Sequence, residues 1–176
     1  MRYIYILFCI FCSCTNESIH IAEFIESEDL PVEEISRAKI FYTENGNVRL
    51  KLFSEYMYRV SESVVNLRGD VTAVFVGSYN QDSSVLTCNN ATINRVSKKM
   101  TAISNVRLLG NDSTELLTEE LIFDQKNNLI YTEKEVIIRT QDELISGIGF
   151  ESSPDFLDYE IKEATGSFNI EKPSSL

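Results

Sequence analysis

One histidine, four cysteines and a few paired carboxylates are the side chains of this 176-residue chain that could carry out chemistry. His20 lies in a polar, acidic stretch ahead of the apolar pattern. A serine or cysteine nucleophile in the folded part therefore has no histidine to act as its base. Cys9, Cys12 and Cys14 crowd an apolar segment without a histidine or acidic neighbour, which is poor company for a metal ion. Cys88 ends the strand-like run Val85-Leu86-Thr87-Cys88 and reads as a buried, inert thiol. The carboxylate pairs Glu33-Glu34, Glu119-Glu120 and Asp142-Glu143 fall in turns or on alternating faces of strands. Cleavage of a glycosidic bond needs two carboxylates converging across a cleft, whereas these read as solvated faces. Gly147-Ile148-Gly149 lacks the third glycine and the following helix of a dinucleotide loop. The expectation is a protein that is not an enzyme and uses no cofactor or metal.

Charge narrows the partners further. The formal net charge is −11, which opposes binding to nucleic acid, where a basic face is required. It also opposes adhesion of the folded domain to an anionic membrane surface, and acts mainly on solubility. The N-terminus is a separate matter. Met1-Arg2 supplies a positive charge, and Tyr3 to Phe11 is an apolar run too short to span a bilayer. That is the shape of a secretory signal. Phe11-Cys12-Ser13-Cys14 then resembles a bacterial lipobox, in which the cysteine is diacylated and becomes the mature N-terminus; the alternative is an ordinary secretory signal. With Cys14 as lipid anchor, Cys9 and Cys12 leave with the signal and Cys88 remains without a disulfide partner. Loss of Arg2 with residues 1–13 takes the charge from −11 to −12. The expected layout is a signal over 1–13, a lipid-anchored linker over 14–37, a β domain over 38–170 and a tail over 171–176.

The elements that would position any site show a near-repeat about thirty residues long. Ala91, Ile93, Asn94, Val106 and Leu108 fall on Leu121, Phe123, Asp124, Val136 and Ile138. Polar clusters, Arg95 to Lys99 and Gln125 to Asn128, separate the apolar pairs in both copies. Each copy reads as strand, polar turn, strand, turn, strand, a period typical of stacked β units that bury their apolar faces against neighbours. Ahead of it, Glu44-Asn45-Gly46-Asn47 is a hairpin turn, with Asn-Gly supplying positive φ. Val48 to Leu52 and Tyr56 to Val60 alternate strictly, and Val71 to Val76 is a continuous apolar strand. Strands return from Leu144 to Phe168. The class is all-β: an open β-jellyroll or twisted roll of consecutive antiparallel strands. The inward set is Leu50, Leu52, Tyr56, Tyr58, Val60, Leu86, Ala91, Ile93, Val106, Leu108, Leu121, Phe123, Val136, Ile138, Ile148 and Phe150. These residues are expected to fill a dry core at one end of the roll and to line an open interior at the other.

Thr118-Glu119-Glu120-Leu121-Ile122-Phe123-Asp124, Ile130-Tyr131-Thr132 and Val136-Ile137-Ile138 resemble the LptC family of lipopolysaccharide-transport components, in which the pattern runs T-x-E-L-x-W/F-D, I-Y-T, V-x-I. Gly147-Ile148-Gly149-Phe150-Glu151-Ser152-Ser153 with Asp155-Phe156 is similar to that family's C-terminal part, and Ala38 to Leu52 to its opening hairpin. The resemblance spans about residues 30–170. The lipobox departs from the best-known members, which carry a transmembrane helix, and suits lipoprotein-type members. The resemblance implies a lipid-anchored protein on the periplasmic side of the inner membrane. Its partners would be lipopolysaccharide, the inner-membrane LptB, LptF and LptG transporter, and an LptA-like periplasmic roll. Tyr58, Ile93, Leu108, Phe123, Ile138 and Phe150 would line the lipid groove. The last strand, with Tyr159 and Ile161, would pair with the partner roll, positioned by Gly147 and Gly149. The alternative is a structural or ligand-binding envelope lipoprotein without a transport role.

Overall fold

Nine β-strands, β1(Glu34–Glu44), β2(Asn47–Arg59), β3(Val64–Val76), β4(Asp82–Asn94), β5(Lys99–Gly110), β6(Glu115–Asp124), β7(Leu129–Arg139), β8(Glu143–Ser152) and β9(Tyr159–Asn169), follow one another in a computed structural model that describes residues 33–77 and 81–169. Cys14, His20, the signal, most of the linker and the tail lie outside the described residues. The first strand opens at Glu34, four residues ahead of the expected start at Ala38. Every strand pairs antiparallel with its sequence neighbours, in a single sheet ordered β1 to β9. The connections are short because an antiparallel meander needs only turns. At the first of them Asn45 (φ 50°) and Gly46 (φ 80°) both take positive φ, the requirement of a two-residue hairpin turn.

The thirty-residue repeat is a hairpin: β4 with β5, then β6 with β7. Its turns match residue for residue. Asn94 Oδ1 accepts from the backbone N–H of Val96 and Ser97, at 3.0 Å each. Asp124 Oδ1 accepts from Lys126 and Asn127, at 3.0 and 3.1 Å. Lys98 and Asn128, also thirty apart, close the two turns at φ 55° and 52°. Short Asx side chains mimic a backbone turn in this way.

Strands β2 to β8 each bend near the middle, where the pairing register shifts. A regular strand places inward residues two apart. In β4 and β6 the interval at the bend is three, Cys88 to Ala91 and Thr118 to Leu121. In β3, β5 and β7 it is four, Leu67 to Val71, Ala102 to Val106 and Thr132 to Val136. Extra residues of this kind are β-bulges, which bend a strand and raise its twist. A line of them across the sheet creases it into two layers. Backbone groups released at the crease are taken up by small side chains pointing inward. Ser54 Oγ donates to Tyr56 O (3.1 Å), Cys88 Sγ to Asn90 O (3.2 Å) and Thr118 Oγ1 to Glu135 O (2.8 Å). The thiol thus fills a position that a hydroxyl fills in other strands, and burial pushes its pKa up to about 11, with backbone hydrogen bonds to Ile103 and Asn90 pulling the other way.

Folding along the crease brings distant strands face to face. Phe75 of β3 meets Phe123 of β6 edge to face with ring centroids 5.0 Å apart. In a flat sheet, strands three places apart would be separated by about 14 Å. The apolar core lies between the layers and draws on β2 to β8, with Phe156 from the β8–β9 loop. Among the described residues, no buried side-chain nitrogen or oxygen lacks a hydrogen-bond partner.

Candidate functional site

The interior of the roll and its two sheet edges are the surfaces on which a function can be built. Leu108, Ile138 and Phe150 point inward and are fully buried, and Phe123 is 6% exposed. Ile93 is half-buried against the same core. Tyr58 is corrected. The crease in β2 shifts the inward phase from Leu50, Leu52 and Ser54 to Met57, so Tyr56 and Tyr58 face outward. Tyr58 stacks on Tyr56 at 6.4 Å, and the Arg68 guanidinium lies 5.6 Å from its ring centre. Val60 follows the end of β2 and is exposed. Ile148 sits at the crease of β8, between inward Gly147 and Phe150, and faces out. The inward assignments of Tyr56, Tyr58 and Ile148 fail because alternation restarts in a new phase after a bulge, and that of Val60 because the strand has ended.

The seam opposite the crease, where the tips of the two layers meet, is filled unevenly. On the β1–β2 side two cavities adjoin through Tyr42 and Gln125. One, of about 400 Å³, runs past Phe75, Phe123 and Lys126 to Pro154 and Asp155. The other, of about 270 Å³, has Ile40, Leu50, Leu52, Ile93 and Met100 for walls, with Arg95 and Lys98 among its lining residues. On the β8–β9 side the loop after β8 closes the seam. Phe156 is 1% exposed and packs on Phe150 and Tyr159, at 5.8 and 5.6 Å between centroids. A side chain on Gly110, across the seam, would begin 3.3 Å from the Phe156 ring. Ser84 Oγ donates to Pro154 O in the same closure. Burial raises the Tyr159 pKa, and the negative charges of Asp112 and Glu143 on the opposite tips add to it.

At the sheet edges, β1 pairs only with β2, and β9 only with β8. Each leaves one backbone side unpaired among the described residues. Gly147 and Gly149 belong to β8, which is paired on both sides. A Cβ on Gly147 would run into Ile161 Cγ2 and meet Glu163 O at 2.7 Å, so this glycine lets β9 lie close. Gly149 takes φ 76° at the crease. Tyr159 and Ile161 are half-buried and face the core from the edge strand. Sequence reading passed over Phe75, which lies in a run apolar on both faces, and over the burial of Phe156, which no periodicity marks. Among the described residues there is no cluster of His, Cys, Asp or Glu suited to a metal.

Thr118 holds the crease, Leu121 and Phe123 face the core, and Asp124 caps the turn. No curated protein matches the chain significantly. Residues 4–161 match the family model described as "Lipopolysaccharide-assembly, LptC-related". That family comprises envelope-associated, periplasmic components of lipopolysaccharide export, which work with lipopolysaccharide and with Lpt transporter and bridge proteins. With nearly the whole chain matched and an all-β roll consistent with it, this protein belongs to the LptC-related lipopolysaccharide-assembly family.

Proposed function

We propose that the chain receives lipopolysaccharide from the inner-membrane LptB, LptF and LptG transporter and hands it to an LptA-like roll through its apolar interior. The observation that carries this reading is a dry core that opens on one side of the seam into a cavity walled by Ile40, Leu50, Leu52, Ile93 and Met100, which adjoins a larger, more polar one. Each acyl methylene transferred from water to such a surface is worth about 0.8 kcal/mol, so a multi-acylated lipid has a strong reason to enter. Ile93, Phe123, Leu108, Ile138 and Phe150 are the proposed lining; Tyr58 is left out because it faces outward. The unpaired sides of β1 and β9 suit strand addition to neighbouring rolls, in which backbone hydrogen bonds continue the sheet. In this reading β9 meets the LptA-like partner and β1 the transporter.

The test is site-specific photocrosslinking in cells. A photoreactive residue at Phe123 should capture lipopolysaccharide, and one at outward-facing Ile137 should not. At Ala164, exposed on β9, it should capture the LptA-like protein. Equal lipid capture at Phe123 and Ile137 would refute an interior route. Cys14 is proposed as the diacylated N-terminus that tethers the roll at the inner membrane. Mass spectrometry of the mature N-terminus should find acyl groups on Cys14, and an unmodified residue there would end that proposal.

A further inference from the structure

We infer that Arg95 and Lys98 of the β4–β5 turn, with Lys126 of the β6–β7 turn, form a phosphate-binding rim. It holds the head of a phosphorylated, acylated glycolipid at the mouth while the tails point inward. This rests on the interior reading above and adds an orientation and an entry side to it.

Charge is the first argument. The chain is strongly acidic, yet the smaller cavity has no carboxylate in its lining, and its charged residues are Arg95 and Lys98. Lys126 lines the adjoining cavity, joined to the first through Tyr42 and Gln125. Among the described residues seven lysine or arginine side chains are ion-paired: Arg49, Lys51, Arg59, Lys99, Arg107, Arg139 and Lys162. Arg95, Lys98 and Lys126 are in none of these pairs. The two carboxylates on the larger cavity are already engaged: Glu44 with Arg49 at 3.5 Å, and Asp155 with Ser153 Oγ at 2.5 Å. Like charges gathered at a concave, low-dielectric mouth focus a field that draws an anion.

Rigidity is the second argument. Both turns are held by their Asx caps, Asn94 and Asp124, through paired backbone hydrogen bonds. The cations therefore stand on preorganised backbone, and less ordering is required on binding. Directly inside them the walls are Ile40, Leu50, Leu52 and Met100. A cationic rim followed by an aliphatic wall fits an amphiphile with phosphate at the junction of head and tail.

The experiment compares binding of three probes to the full chain and to R95Q/K98Q/K126Q. The probes are bisphosphorylated lipid A, the same lipid with both phosphates removed, and inorganic phosphate. All three substitutions lie on exposed turns, so circular dichroism should show an unchanged β signal. The wild type should prefer the phosphorylated lipid on the order of tenfold, since each exposed ion pair contributes modestly, and the preference should shrink with salt. The variant should lose that preference while its affinity for dephosphorylated lipid A stays the same. If the folded variant keeps the preference, the rim is wrong and the interior reading stands. Equal loss for both lipids also overturns the rim, because the substitutions would then act on the tails. Saturable binding of inorganic phosphate without a lipid preference assigns the cations to free phosphate and overturns it too. Failure of the wild type to bind either lipid overturns the interior reading and the rim together.

Discussion

The two sides of the seam are built from one sheet and one crease, yet one is open and the other is shut. On the β1–β2 side the tips of the layers leave a gap beside the Phe75–Phe123 contact, and it holds the two cavities. On the β8–β9 side a six-residue loop, 153–158, crosses the gap and sets Phe156 against Phe150, Tyr159 and Gly110. Strand pairing is equally regular on both sides, so closure is decided by a loop and not by the sheet. Phe156 takes φ 56°, a conformation that costs a residue with a side chain about 1–2 kcal/mol. Burying the ring offsets this by roughly 2–3 kcal/mol. The latch is therefore held by packing against its backbone preference.

The largest effect expected from breaking the comparison is at the latch. Phe156→Ala should destabilise the fold by about 3 kcal/mol or more and make the shut side resemble the open one. Urea midpoints give the energy, and backbone hydrogen exchange at Leu108 to Gly110 should rise relative to that at Leu50 and Leu52. A loss under about 1 kcal/mol with unchanged exchange would mean that the loop merely covers a seam already closed by the strands.

A smaller effect sharpens the comparison from the open side, whose tips are held by Asx caps. Asn94 and Asp124 do the same job thirty residues apart, one neutral and one ionisable. Burial opposes ionisation of Asp124, but hydrogen bonds from Asn127 and Lys99, with the lysine's charge, outweigh it and hold the pKa below the usual carboxylate value. A depressed folded pKa contributes stability that is present above the unfolded carboxylate pKa and is lost as pH falls through the folded one. Asp124→Asn keeps an oxygen to accept the turn's N–H groups, as Asn94 does. Its urea midpoint should thus fall less between pH 7 and pH 3 than that of the wild type. An equal fall in both proteins would move the acid sensitivity elsewhere in the sheet.

Much of this was legible in order of residues alone. Hydrophobic alternation and turn chemistry are local properties, so the all-β class, the Asn45-Gly46 turn and the thirty-residue hairpin repeat could be read directly. Leu108, Phe123 and Ile138 point inward as alternation implies, because Val106, Leu121 and Val136 lie on the same side of the bulge as they do; Phe150 also points inward, although Ile148, two residues before it, does not. Tyr56, Tyr58 and Ile148 face outward because a bulge resets the phase, and the small residue holding it, such as Ser54 or Thr118, looks like any other strand residue; Val60 is exposed because β2 ends before it. The contacts across the seam were beyond sequence altogether. Phe75 meets Phe123, and Phe156 meets Gly110, only after the sheet has folded on its crease, since these partners lie many strand widths or tens of residues apart. Local pattern determined which residues could form the walls; the tertiary fold decided where those walls meet and where they leave a mouth, because only packing sets the distance between two layers.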